Sequence, residues 1–407
     1  MIWITGKMHS GFADYLTNHA IPYGVITDRR VTKLPSASVP VVQLSLENYE
    51  LLNQELQGRL VPDVTAVAVA GFENYIVPAA YITTAYGLPG MSVAAAHAAT
   101  DKTLMRQAFL DYDSAITPNF ATITDWAAVE QFMQAHDFPV MLKPASLMKS
   151  LLISKSSNWD ELRHNFSELT AGIQQAYDAQ AVSEPPKMLI EEFLDGSMHT
   201  VAGFVNADGT ATLLPQIADC VRASDIGVAD SYLYSRRLPS LLPAADQASI
   251  LAVAVKGVAA LGLTSCPVHI EVILTKNGPN IIEIGARTGG YRPTMYQLAD
   301  GIDMFQAVVD TAFNRPVQLA TNTQKQVIVL ELFPKTEGSF KELRGEALVA
   351  GLASLQRLTI RTKPGAAVGS AVRGYKAAVI IVLVSADHVQ LTTDYQTILD
   401  SVRVITD

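Results

Sequence analysis

The chain has 407 residues, 49% of them hydrophobic and 17% charged, with a formal net charge of −9 at pH 7. That length calls for two or three lobes rather than one core, and the composition excludes a disordered chain. The acidic balance makes nucleic acid and anionic membrane surfaces poor partners, because both select concentrated positive charge.

Cys220 and Cys266 are the two cysteines. Neither lies in a CxxC or a Cys/His cluster, so no disulfide framework or structural zinc is expected, which suits a reducing cytoplasm. The opening MIWITGKMHSGF lacks the basic region and long apolar core of a secretory signal. AVIIVLV, from Ala378 to Val384, is too short to span a bilayer and reads as a buried strand.

In chain order, MIWIT predicts a short strand broken at Gly6, GFADYLTNHA a helix, and YGVIT a second strand. VTAVAVA predicts another strand and NYIVPAAYITTAYG a helix ending at Gly87. Strands alternating with helices imply a parallel βαβ sheet over about the first hundred residues. The Gly6/Gly11 spacing is not the dinucleotide fingerprint, and a strand-to-helix turn explains it. From DKTLMRQAFLDY a helix leads to short strands, and KMLIEEFLDGSMHTVAGFV predicts two strands about Asp195-Gly196. QASILAVAVKGVAALGL predicts a long helix ending at Gly262, and more strands follow about residue 320, with KPGAAVG as a turn.

FPVMLKPASLMKSLLISK, from Phe138 to Lys155, has the cadence of a phosphate flap: strand, lysine, short loop, strand. Such flaps favour glycine, and this one has none. Ala145, Ser146 and Ser150 are small enough for close approach, both serines carry hydroxyl donors, and Lys149 adds a mobile charge. Leu147 and Met148 read as an apolar tip closing over the site.

In Val268–Gly290, the strands HIEVILT and PNIIEI flank Lys276-Asn277-Gly278. A three-residue loop, with Gly278 left-handed and Pro279 opening the second strand, sets Thr275 opposite Pro279 and Glu271 opposite Glu283. Facing carboxylates repel, so a hard cation with bound phosphates is the natural compensation. A two-residue turn would shift the register by one and leave two unrelated acids on opposite faces. Arg287, before Gly289-Gly290, is placed to hold a phosphoryl or carboxylate oxygen.

In this order the parts resemble the ATP-grasp carboxylate–amine ligases over residues 1 to about 320, most strongly from about 100 to 310. Those enzymes activate a carboxylate as an acyl phosphate that an amine then attacks. The resemblance implies ATP with Mg2+, or Mn2+ in its place, and small-molecule carboxylate and amine substrates. It matches the phosphate lysines to Lys102 and Lys143, with Ser146 and Lys149 in the flap. The adenine hinge corresponds to LIEEFLDG: the Glu191 side chain near the exocyclic amine, backbone of Glu192 and Leu194 on the ring. Glu271 and Glu283 match the metal carboxylates, and Arg287 the residue at the acyl phosphate; Lys143, Lys149 and Arg287 form the catalytic set. The ribose acid of the family falls on Met198, with Asp195 and Ser197 beside it, and its asparagine metal ligand falls on Gly285. His269 is either a partner that supports the metal carboxylates or a satisfied core histidine, and Arg222, Arg236, Arg237 and Arg292 are candidates for a substrate carboxylate.

The implied fold is α/β: a Rossmann-like parallel-sheet domain over about 1–100, a two-lobed ATP-grasp fold over about 101–320, and a β-rich C-terminal lobe over about 321–407. The small ATP-grasp lobe spans about 115–192 and the large one about 193–320. The expected activity is ligation of an activated amino acid to an amine. A carboxylating or purine-pathway enzyme and an inactive nucleotide-binding regulator stay open as alternatives, as does a homodimer.

Overall fold

The computed structural model describes all residues except 7–9, 33, 47, 57–65, 70–71, 148–150, 181, 183, 223–232 and 320–324. Strands β1 (Ile2–Thr5), β2 (Tyr23–Asp28), β3 (Val41–Leu44) and β4 (Ala66–Val69) form a parallel sheet in the order β3-β2-β1-β4. Their apolar runs suit a parallel sheet covered on both faces. Helix Ile76–Tyr86 packs on one side, and Met295, Tyr296 and Val308 of two later helices pack with Ile2 and Ile4 on the other.

Next come β5 (Phe120–Ile123), β6 (Val140–Pro144), β7 (Ser154–Ser156) and β8 (Met188–Glu192), an antiparallel sheet in the order β5-β8-β6-β7. Helices Trp126–Met133 and Trp159–Gln180 cover it, with Val129, Leu162, Leu169 and Tyr177 packed on Val140, Leu142 and Ile190. The flap's second strand is only Ser154–Ser156, shorter than its sequence suggests. Leu147 is a further correction. It is not a lid tip but lies 5% exposed in this small-lobe core, while Met148, Lys149 and Ser150 fall outside the described residues.

The third sheet comprises β9 (Gly196–Val205), β10 (Ala211–Leu213), β11 (Ala218–Arg222), β12 (Leu233–Leu238), β13 (Cys266–Thr275), β14 (Gly278–Gly285) and β15 (Gln326–Leu332). β16 (Gly338–Arg344) leaves it. β17 (Leu355–Ile360) rejoins it, β18 (Ala367–Val368) leaves again, and β19 (Val379–Ser385) returns before the chain closes on β20 (Arg403–Thr406). The order is β14-β13-β9-β11-β12-β15-β19-β17 with β10 beside β9, and β18-β16-β20 form a small separate sheet. Antiparallel pairing of β12 with β15 carries the sheet across the segment about residue 320, so β15, β17 and β19 share one sheet with β9 and β13.

Alternation along β13 divides its side chains between two faces. Val268, Ile270 and Val272 pack under Ile250, Ala254 and Val258 of helix Ala244–Ala260, together with Ile281 and Ile284 of β14. His269 and Glu271 therefore lie on the opposite face, beside their β9 register partners Ala202 and Thr200. The hairpin differs from the three-residue loop expected. Thr275 pairs with Gly278 about a two-residue Lys276-Asn277 turn, and Pro279 is the second residue of its strand. Left alone, that turn would put the two glutamates on opposite faces. A bulge at Ile282 inserts one residue on β14 and restores Glu271 opposite Glu283.

Candidate active site between the lobes

Helix Lys102–Tyr112 begins at the N-cap Asp101, whose carboxylate accepts from the backbone N–H of Thr103 at 2.8 Å and pairs with Lys187 Nζ at 2.7 Å. The cap fixes the first turn, and the Lys102 N–H donates to the Ala145 carbonyl at 3.0 Å, tying the helix to the end of β6. The buried Lys102 Nζ then donates to Glu283 Oε1 at 3.3 Å and to the Leu147 carbonyl at 3.4 Å. Helix, flap root and hairpin thus meet at one ammonium. Burial disfavours its charge, but Glu283 and Glu73 outweigh burial and its pKa is raised.

One turn further along the helix, the fully buried Arg106 donates from Nε to Glu191 Oε1 at 2.8 Å and from Nη2 to the Ile282 carbonyl at 2.7 Å. The bulge removes Ile282 from the regular ladder, and Arg106 satisfies its oxygen from helix Lys102–Tyr112. Lys143 Nζ lies 2.5 Å from Glu191 Oε2. Burial first, then the charges of Arg106 and Lys102, bring the Lys143 pKa down to about 8 against the pull of Glu191. Burial works against ionised Glu191, but Arg106 and Lys143 prevail and its pKa is lowered.

On the hairpin, Glu271 Oε1 is 3.5 Å from His269 Nε2. Burial takes the His269 pKa down to about 4, so the ring is neutral near pH 7. Glu271, despite its burial, is held at about 2 by the hydrogen bond from His269 and by nearby cations including Arg287 and Arg292. Arg287 Nη2 donates to Glu73 Oε1 at 2.6 Å, and its Nη1 donates to the Thr288 carbonyl at 3.1 Å. Glu73 comes from a short helical turn just after β4 of the N-terminal domain. Burial raises its pKa despite the opposing charge of Arg287, and Glu283 raises it further. The buried Arg292 donates from Nη2 to Thr200 Oγ1 at 2.5 Å, and Thr200 is the β9 register partner of Glu271.

The sequence-predicted residues fall into two groups. Lys102, Glu283, Glu271 and Arg287 gather on the hairpin face, with Lys143 and Glu191 joined to them through Arg106 and Lys102. The Glu191 carboxylate is committed to its two cations. Glu192 points the opposite way, its Oε2 accepting from Asn119 Nδ2 at 2.9 Å and its backbone N–H donating to the Asn119 carbonyl at 3.0 Å. Leu194 and Met198 are half-buried beyond β8, and the half-buried Ser146 donates its N–H to the Tyr177 hydroxyl at 3.1 Å. Ser197 is bonded to His199, 2.6 Å away, and His199 to Asp219 at 2.9 Å. Arg236 pairs with Glu331 at 2.6 Å and lies over the Tyr291 ring, whereas Arg237 lies over Tyr395. Lys149 and the Arg222 side chain lie outside the described residues.

Glu73 and Arg106 are absent from the sequence-based set. Arg106 carries a usable signal, four residues from Lys102 on one helix face. Glu73 carries none, because only tertiary packing brings its domain to Arg287.

Among the described residues, no group of three or more His, Cys, Asp or Glu side chains is arranged to hold a metal ion. Magnesium at a nucleotide site usually takes only one or two carboxylates and completes its shell with phosphates and water, and the facing Glu271–Glu283 pair fits that requirement. His269 Nδ1, Arg292 Nε and Arg106 Nη1 are buried without a hydrogen-bond partner, as expected of a site shaped for a polar ligand.

Gly289 closes the site. A Cβ there would lie 2.7 Å from His269 Nδ1 and 2.8 Å from Arg292 Cγ, neither of them a free chain end. Gly289→Ala is therefore expected to destabilise the fold by about 1–3 kcal/mol through overpacking, read as a lower midpoint in chemical denaturation. An unchanged midpoint would show that the His269–Arg292 wall yields.

Residues 136–295 match the family model of the ATP-grasp domain. The alanine–anticapsin ligase of Bacillus subtilis (strain 168) is 29% identical over 255 residues, 58% of this chain and 52% of that protein. The chain thus spans about half the length of the curated relatives it matches first. The L-amino acid ligase of Bacillus licheniformis superposes with a TM-score of 0.82 at 17% identity, over 100% of this chain and 98% of that one. N5-carboxyaminoimidazole ribonucleotide synthetase of Thermotoga maritima gives 0.71 at 15% identity, over 100% and 99%. No described helix is long and apolar enough to cross a membrane. The chain carries an ATP-grasp domain and has the fold of the ATP-grasp ligases.

Proposed function

We propose that the protein is an ATP-dependent carboxylate–amine ligase whose carboxylate substrate is an amino acid. The observation carrying this reading is the convergence of Lys102 and Arg287 on the face where Glu271 and Glu283 stand opposite each other. The substrate carboxylate oxygen attacks the γ-phosphorus of ATP and ADP leaves. The amine then attacks the acyl phosphate carbonyl, phosphate leaves, and the amine loses a proton.

Lys143 and Lys102 offset phosphate charge from the small-lobe side, and Arg287 does so from the large-lobe side. Mg2+ or Mn2+ held by Glu271 and Glu283 would supply charge neutralisation to the phosphates. Arg236 lies on the same sheet face as Glu271, and Arg292 reaches that face through Thr200; these are the cations we assign to a substrate carboxylate, Arg236 by exchanging Glu331 for it. Exclusion of water between the lobes would protect an acyl phosphate from hydrolysis. Relatedness to the alanine–anticapsin ligase supports an amino acid as the activated acid.

Hydroxylamine traps an acyl phosphate whatever the natural amine is. Incubation with ATP, Mg2+, hydroxylamine and a panel of amino acids is expected to yield hydroxamate with one class of acid. No product across a broad panel, with ATP still bound, would replace the ligase with a nucleotide-binding regulator.

Lys143 makes nucleotide binding pH-dependent. With its pKa near 8 it is charged below that value and neutral above, so its attraction for phosphate is present at low pH and lost as pH rises. The ADP dissociation constant, titrated by calorimetry, is expected to rise through the window above pH 8 by up to about tenfold per unit. Lys143→Arg, with a guanidinium that does not titrate there, is expected to flatten the profile. A parent profile flat to pH 9.5 would exclude a phosphate role for Lys143.

A further inference from the structure

A chain of polar side chains lies on the sheet face turned away from Glu271. In β9, Ser197 and His199 are register partners of Leu274 and Val272, which pack in the core beneath helix Ala244–Ala260, whereas Thr200 is the partner of Glu271. Alternation therefore sets Ser197 and His199 on the helix side of the sheet. Asp219 of β11 stands directly opposite His199. The imidazole, 3% exposed, has Nδ1 2.9 Å from Asp219 Oδ1 and Nε2 2.6 Å from Ser197 Oγ. The other oxygen of Asp219 accepts from the Leu241 backbone N–H at 3.0 Å. Burial works against the charge of Asp219, but hydrogen bonds from His199 and Ser240 prevail and its pKa is lowered. An ionised carboxylate only accepts, so Nδ1 carries the proton, and the uncharged ring keeps its lone pair at Nε2, on the side of the Ser197 hydroxyl. Ser197 itself is exposed, at the start of β9 just beyond Asp195-Gly196.

We propose that Ser197, His199 and Asp219 form a second reactive centre, in which the Ser197 hydroxyl takes acyl groups from small activated esters and thioesters. A buried acid orients a buried imidazole, and the imidazole faces a hydroxyl open to solvent. That order of groups makes a serine nucleophilic, and it recurs on unrelated folds. The ligase chemistry does not use it, because the three side chains stand across the sheet from Glu271. The hydroxyl attacks the ester carbonyl carbon while His199 Nε2 takes its proton. The bond from that carbon to the leaving oxygen or sulfur then breaks, and the departing group receives the proton from His199. Water, giving its proton to the same nitrogen, splits the acyl-serine, releases the free acid and restores the hydroxyl. Asp219 is a positioning residue that acts through His199, fixing the tautomer and offsetting the charge the ring gains. Because the hydroxyl is exposed at a strand end, short acyl groups with good leaving groups reach it freely and need least further activation.

The test incubates the whole chain, without nucleotide, with p-nitrophenyl acetate. Nitrophenolate release is followed by absorbance, and acetylated residues are located by peptide mass spectrometry after an acid quench. Ser197 is expected to acquire acetyl at least about 10²-fold faster than the exposed Ser157, the low end of what a positioned general base contributes. Nitrophenolate should appear as a burst of about one equivalent per chain before a slower steady rate, and Ser197→Ala should lose that burst. Asp219→Asn keeps the size of the side chain but favours the wrong tautomer of His199. Its labelling is expected to fall by at least about 10²-fold while the melting temperature stays near that of the parent. Ser197 labelled no faster than Ser157 would overturn the inference. So would a folded Asp219→Asn protein labelled at the parent rate, which would leave His199 as a packing group alone. If Asp219→Asn does not fold, the ratio of Ser197 to Ser157 in the parent decides. Hydroxamate formation reads the other sheet face, so either failure leaves the ligase reading as it stands.

Discussion

Glu283→Gln is expected to lower hydroxamate formation by at least about 10²-fold, the scale seen when one preorganised electrostatic group is removed from a transition state. Glu283 has two roles here. It faces Glu271 across the hairpin, and it accepts from Lys102 Nζ at 3.3 Å. Glutamine keeps the shape and an acceptor for Lys102, so the fold should survive, but it removes the charge that draws a cation to the pair. The expected pattern is a melting temperature close to that of the parent with turnover nearly abolished. Raising Mg2+ should recover part of the loss if the defect is cation affinity. Turnover equal to the parent's would show that no metal-dependent step passes through this hairpin.

Glu191→Ala is expected to have the largest effect on stability. Its carboxylate is shared between Lys143 at 2.5 Å and Arg106 at 2.8 Å, with all three side chains 6% exposed or less, so solvent does little to screen them. Removing the acid leaves two buried cations facing each other without a counterion, a class of change that costs about 3–5 kcal/mol. Thermal and chemical denaturation should both register the loss. Adding Lys143→Met to Glu191→Ala should return part of it, because one unpaired charge is removed. A Glu191→Ala protein as stable as the parent would mean that Lys143 gives up its proton instead. Its already depressed pKa would then fall further, and ADP affinity would drop near neutral pH.

Much of the architecture was legible because local periodicity is strong. β1, β2 and β4 follow short apolar runs and the helices Ser10–Asn18 and Ile76–Tyr86 follow helical apolar spacing, so the parallel N-terminal sheet follows from their order, whereas β3 and the helix Tyr49–Leu56 gave no such signal. The glutamate pair shows how a register can be reached along a different path. A three-residue loop predicts Glu271 opposite Glu283, whereas the chain uses a two-residue turn and recovers the register with a bulge at Ile282. That bulge is held by Arg106 from another part of the chain, which no local pattern encodes. Leu147 read as a lid tip because an apolar residue in a polar loop can face either a ligand or a core, and only packing against Tyr177 and Leu142 decides between them. The hinge doublet shows the reverse case. Adjacent strand residues must face opposite sides, so Glu191 and Glu192 separate as alternation requires. Which one turns inward is set by the position of Arg106. Glu73 lay beyond reach for the same reason, since its role depends on an inter-domain contact with Arg287.

The pairing of β12 with β15 bears on how the molecule can be divided. Cutting the chain near residue 320 would strip β15, β19 and β17 from the great sheet and leave β12 as a bare edge. The removed strands QVIVLEL and VIIVLVS are almost wholly apolar, and an exposed edge beside such segments invites self-association. A fragment ending near residue 320 would therefore tend toward insoluble assembly. A fragment meant to stay in solution has to retain the chain through β19, which makes the C-terminal strands part of the sheet's own closure rather than a detachable module.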